Sequence, residues 1–137
     1  MAIVYVGGTF DLFHAGHVDL LRRCSELGSV VVALNTDEFV NLYKGKPPIN
    51  TYEEREDMLL GCKYVSEVIP NENGADSKPT ILKVNPDYIV VGSDWLSKDY
   101  CAQMSFTPSW LEEQDITLVY VPRVRKLSST EIKRRMK

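Results

Sequence analysis

Four short apolar runs recur along the chain, Ile3 to Val6, Val30 to Leu34, Tyr88 to Val91 and Thr117 to Val121, and a weaker fifth spans Val65 to Ile69. Continuous valine- and isoleucine-rich runs suit strands covered on both faces, as in a parallel sheet; a strand with one wet face would alternate. Parallel neighbours need long crossovers, and helical patterns fill the gaps. Val18, Leu20, Leu21, Cys24 and Leu27 share one side of a helix over residues 16 to 27, with Gly28 as its stop. Thr51 and Glu54 form a capping-box pattern ahead of a helix over Tyr52 to Lys63, with Met58, Leu59 and Cys62 on one face. Pro79 to Val84 predicts a short helix and Ser128 to Met136 a last one, whereas Leu96 to Pro108 reads as a polar surface excursion. This alternation predicts a three-layer α/β fold in one domain spanning residues 1 to 137.

A chain of 137 residues can bury a core without metals or disulfides, and Cys24, Cys62 and Cys101, with no CxxC pair, read as free and mostly buried thiols. The formal net charge of −3 argues against a nucleic-acid-coating role. No apolar run approaches the roughly 20 residues that span a bilayer, and Ala2 to Val6 is too short for a signal-peptide core. A cytoplasmic location is expected.

Open parallel sheets bind ligands beyond the carboxyl ends of their strands, where strand order reverses. Three segments are therefore expected to converge: residues 7 to 17, Gly92 to Trp95, and Pro122 to Thr130. The first, GGTFDLFHAGH, holds both histidines of the chain. Gly7 and Gly8 let backbone approach a ligand where the strand ends. The helix that follows offers unpaired N–H groups and a positive dipole end, which suit phosphate. Gly16 keeps that mouth open, and His14 and His17, three apart, face the same way and can both reach one anion. A surface or capping role is the alternative for the pair, as is a metal site, which would need a third ligand.

The segments GTFDLFHAGH (8 to 17), LNTDEF (34 to 39), Lys44-Gly45-Lys46, TYEER (51 to 55), YVSEVIP (64 to 70), VGSDW (91 to 95) and SSTEI (128 to 132), taken in order, resemble the HxGH nucleotidyltransferases. Within that superfamily the likeness is to the glycerol-3-phosphate cytidylyltransferases. The resemblance implies a Rossmann-like nucleotidyltransferase fold with a five-stranded parallel sheet. It also implies transfer of CMP from CTP to a small phosphorylated acceptor, with release of pyrophosphate. Transfer to another phosphate- or phosphonate-bearing acceptor, adenylyl transfer from ATP, and nucleotide binding without turnover are the alternatives.

The same resemblance implies roles for particular residues. His14 and His17 hold the phosphates and stabilise the crowded α-phosphorus, while Lys44 and Lys46, on a loop after a short TDEF helix, contact acceptor and nucleotide phosphates. Gly8, Thr9, Phe10, Asp11 and Gly16 belong to the nucleotide site, Asp11 being read first as an organiser of the loop and second as a magnesium-holding group. Arg55 resembles a phosphate-binding arginine and Lys78 an acceptor-phosphate lysine. Gly92, Asp94 and Trp95 stand near base or acceptor, Arg123 near the cytosine, and Ser128, Ser129 and Thr130 at the outer phosphates. Mg2+ with CTP and a homodimer are expected on the same ground. Two departures bear on the substrates: RVRKLSST places Val124 where the family has a hydroxyl and Lys126 where it has glycine, and additional residues lie around Lys98 to Pro108.

Overall fold

The computed structural model describes residues 2–71, 74–93, 99–122 and 133–136. Strands β1 (Ile3–Gly8), β2 (Ser29–Asn35), β3 (Glu67–Asn71), β4 (Tyr88–Gly92) and β5 (Thr117–Val121) form one sheet in the order β3-β2-β1-β4-β5. All neighbouring pairs are parallel, and the β1–β2 register runs from Ile3 opposite Ser29 to Gly8 opposite Leu34. The runs that predicted strands are the buried ones: Val4, Tyr5 and Val6 in β1, and Val30 through Leu34 in β2. Such strands have no wet face, which is why their apolar residues do not alternate.

Helices α1 (Ala15–Leu27), α2 (Asp37–Lys44), α3 (Tyr52–Leu60), α4 (Lys78–Val84), α5 (Tyr100–Gln103) and α6 (Pro108–Glu113) connect the strands. Leu21 and Cys24 of α1 and Leu59 of α3 pack with Val4, Val6, Val30 and Val32 on one side of the sheet. Ile81 of α4, Tyr100 of α5 and Leu111 of α6 pack with Tyr5, Ala33 and Ile89 on the other. The chain winds outward from β1 to β3, then returns to lay β4 on β1's other flank. Strand order thus reverses between β1 and β4, and the carboxyl ends there receive the glycine turn.

Several expectations are corrected. The fifth strand lies two residues later than Val65 to Ile69, because Val65 N–H is taken by Cys62 in a turn and Ser66 N–H makes the first bond to Val30. Its Pro70 is tolerated because β3 is an edge, bonded to β2 alone. Helix α3 stops at Leu60 instead of reaching Lys63, and Met58 is exposed while Leu59 is buried. The stretch Leu96 to Pro108 is not merely a surface excursion, since Tyr100 and Phe106 sit in the second core. Helix α6 begins with a Thr107 cap and Pro108 in its first turn, a start signal that was legible but attached to too few turns to show periodicity. Gly28 ends α1 in an extended conformation, and a Cβ there would sit 2.2 Å from the Ala2 carbonyl oxygen. Close approach of two backbones, not a left-handed turn, demands that glycine.

Candidate active site

β1 runs through both glycines, and the loop that follows is held in costly backbone geometry: Phe10 and Leu12 have φ of 51° and 50°. Non-glycine residues in that region are strained and persist only where surroundings over-determine them. Asp11, between them and buried, supplies the restraint. Its Oδ1 accepts from Leu12 N–H at 3.1 Å and Asn50 N–H at 2.8 Å, and its Oδ2 from Ile49 N–H at 2.8 Å. Asn50 Oδ1 accepts a second contact from Leu12 N–H at 3.1 Å. Asp11 therefore ties the motif loop to the segment after Gly45, the loop-organising arrangement. With both oxygens on backbone N–H groups, it is not set as a magnesium ligand.

The histidines cap α1 reciprocally. His14 is the N-cap residue, and its Nδ1 accepts from Gly16 N–H at 3.1 Å, while His17 Nδ1 accepts from His14 N–H at 3.1 Å. The capping alternative is what the structure shows, and it uses Nδ1 of each ring, which turns Nε2 the other way. The rings stack with centroids 3.8 Å apart, and Phe13 and Phe10 lie 5.4 and 5.2 Å from His17. The stacking and the caps together fix the orientation of both rings at the mouth of α1. Among the described residues no group of three or more His, Cys, Asp or Glu could hold a metal ion.

Arg55 departs from its expected role. It is 1% exposed, and its guanidinium points into the protein. Nε donates to Asn50 O at 3.1 Å, Nη1 to Thr9 O at 2.9 Å and Asn35 O at 2.8 Å, and Nη2 to Asp37 at 2.6 Å. These bonds join the ends of β1 and β2, the start of α2 and the loop before α3. An arginine so committed clamps backbone and is not placed as a phosphate ligand. The partner Asp37 lies 18 residues away, beyond the reach of any helix-spacing argument.

Lys44 is the last residue of α2, not part of the following loop; Gly45 closes the helix with φ 77° and Lys46 lies beyond it. Both lysines are exposed, and Lys44 Nζ sits 5.6 Å from the Tyr43 ring centroid. Lys78 turns away from an acceptor role: its Nζ donates to Ser105 O and pairs with Asp76 at 3.0 Å, and that pairing holds the Asp76 carboxyl below its ordinary range. Gly92 closes β4 beside β1. Asp94, Trp95, Arg123, Ser128, Ser129 and Thr130 lie outside the described residues.

On the opposite side of the glycine turn from α1 lies a cavity of about 170 Å³, reached by Gly7, Gly8 and Thr9. A polar relay crosses it: Asn71 Nδ2 donates to Asn35 Oδ1 at 3.1 Å, Asn35 Nδ2 donates to Thr9 Oγ1 at 3.0 Å, and Thr9 Oγ1 lies 3.4 Å from Tyr43 Oη. Sequence reasoning missed Asn35 and Asn71. Each ends a strand at its carboxyl edge, the position where polar residues face ligand, and that rule alone would have selected them.

The profile of the cytidylyltransferase-like family matches residues 5–135. The chain belongs to this family. It is a nucleotidyltransferase. Glycerol-3-phosphate cytidylyltransferase of Bacillus subtilis (strain 168) is 42% identical over 134 residues, covering 97% of this chain and 95% of that one. The Staphylococcus aureus enzyme of the same name is 35% identical over 142 residues, with 99% and 96% covered. FAD synthase of Pyrococcus abyssi is 42% identical over 92 residues, 66% of this chain and 62% of its own. Among solved structures, the lipopolysaccharide core biosynthesis protein of Thermoplasma volcanium superposes with a TM-score of 0.75 at 29% identity, covering 91% of this chain and 99% of that one.

Proposed function

We propose that the protein transfers CMP from CTP, delivered with Mg2+, to a small phosphate monoester, glycerol 3-phosphate or a near relative of it. The observation that carries the reading is the partition made by the glycine turn. On one side stand two imidazoles at a helix mouth, and on the other a small polar cavity. A phosphate oxygen of the acceptor attacks the α-phosphorus of CTP, the α–β P–O bond breaks, and pyrophosphate leaves. The nucleophile is already anionic near neutral pH, so no general base is required; alignment and charge stabilisation are what the protein must supply. His14 and His17 donate from Nε2 to oxygens of the α- and β-phosphates, while Lys44 and Lys46 neutralise charge as acceptor and nucleotide meet. Ser128, Ser129 and Thr130 are assigned to the outer phosphates, and Asp94 and Arg123 to base recognition. Magnesium would arrive with the triphosphate and supply charge neutralisation there, as a hard ion needing few protein ligands can. We place the enzyme in the cytoplasm as a homodimer; the exposed Leu42, Ile49 and Leu60 around α2 and α3 support a covered face.

The test is pyrophosphate release with each of the four NTPs against a panel of phosphate monoesters and FMN. CTP with a glycerol phosphate should give the highest kcat/KM. Turnover only with ATP and FMN would replace this reading with adenylyl transfer, and tight nucleotide binding without release would replace it with a binding role.

A further inference from the structure

The cavity beyond the glycine turn contains two buried polar atoms without a partner among the described residues: the hydroxyl of Tyr5, whose residue is 0% exposed, and Oδ1 of Asn71, 6% exposed. Leaving a buried hydroxyl or amide oxygen unsatisfied is costly, so two at one cavity call for a ligand that pairs with both. One offers a hydrogen and the other a lone pair, which together match an alcohol, a group that both accepts and donates. Burial pushes the Tyr5 phenol well above its ordinary range, so it stays a donor at every physiological pH. Among the described residues the lining holds no Asp, Glu, Lys, Arg or His, while Asn35 and Gln103 add further neutral polar groups. A phosphate or an ammonium placed there would be desolvated without compensation. At about 170 Å³ the space holds a few-carbon chain, well short of the roughly 300 Å³ at which pockets begin to take drug-sized molecules.

Resting on the functional reading above, we infer that this cavity takes the uncharged, hydroxyl-bearing tail of the acceptor, and that Tyr5 and Asn71 determine specificity for a polyol phosphate. The acceptor's phosphate then lies at the mouth, near Thr9 and Tyr43, on the line toward the histidine side. Gly7 belongs to this design, because a Cβ there would lie 3.4 Å from Tyr5 Cε1 and 3.6 Å from its hydroxyl, roofing the phenol from a ligand.

The wild type, Tyr5→Phe and Asn71→Leu are assayed with CTP and three acceptors: glycerol 3-phosphate, n-propyl phosphate and phosphoethanolamine. The wild type should prefer glycerol 3-phosphate to both others. Each variant should raise KM for glycerol 3-phosphate about ten- to a hundredfold, the loss expected for one hydrogen bond to a buried group. KM for CTP and kcat/KM for propyl phosphate should be unchanged. Tyr5→Phe should melt no lower than the wild type, since it removes an unpaired polar atom, and it keeps the test valid if Asn71→Leu folds poorly. Retention of the polyol preference in Tyr5→Phe, or a wild-type preference for propyl phosphate or phosphoethanolamine, would overturn the inference. Absence of turnover by the wild type with every acceptor would instead overturn the functional reading, and the two failures are told apart by whether the wild type turns over at all.

Discussion

His14 and His17 carry a capping duty on Nδ1 and, in the function proposed above, a chemical one on Nε2, and the two can be separated by substitution. His14→Ala should lower turnover by about two to three orders of magnitude, the scale of losing one oriented donor at developing charge. It should also cost about 1 kcal/mol of stability through the lost cap. His14→Asn should restore the stability, because its amide oxygen can accept from Gly16 N–H, while turnover stays low; steady-state kinetics beside urea unfolding reads both. Arg55→Met tests the opposite case. Stripping the guanidinium leaves the carbonyls of Thr9, Asn35 and Asn50 without their donor, so unfolding free energy should fall by about 3 kcal/mol or more. A phosphate-binding arginine would instead raise KM for CTP at unchanged stability. Arg55 was misread for a physical reason: its partners are backbone oxygens and an aspartate distant in sequence, and neither leaves a local pattern. The histidines were readable because a cap is local, and His-x-Gly-His places both nitrogens within one turn.

At the level of elements, the glycine between α1 and β2 fixes how tightly the first crossover closes. Ala2 O accepts from Ser29 N–H at 2.9 Å directly beside it. Gly28→Ala must push β1 and α1 apart and should cost about 2 kcal/mol or more, read as a lowered thermal midpoint with a proportionate loss of activity. The long elements were legible from the sequence because burial on both sides of the sheet writes itself as unbroken apolar runs, and the Thr51–Glu54 capping box stands as expected. The short helices α5 and α6 were not: with 4 and 6 residues they show no periodicity, and the core residues in and between them, Tyr100, Phe106 and Leu111, are scattered among polar ones.

For the whole molecule, the histidine pair and the polar cavity lie on opposite sides of one sheet and meet at the β1 turn. The motif side was legible in the chain because its residues are contiguous; the cavity was not, because its polar groups come one or two at a time from β1, β2, β3, α2 and α5. CTP at a hundred times its dissociation constant should add about 2.7 kcal/mol to stability by mass action. GTP at the same concentration should add much less, as read by thermal shift. Arg55 gives that linkage a further meaning. One buried cation fastens strand ends, a helix start and a loop, so these segments let go together. A brief release of its guanidinium would abolish the nucleotide's seat while most of the sheet stays intact, and inactivation on warming would then precede loss of β-structure.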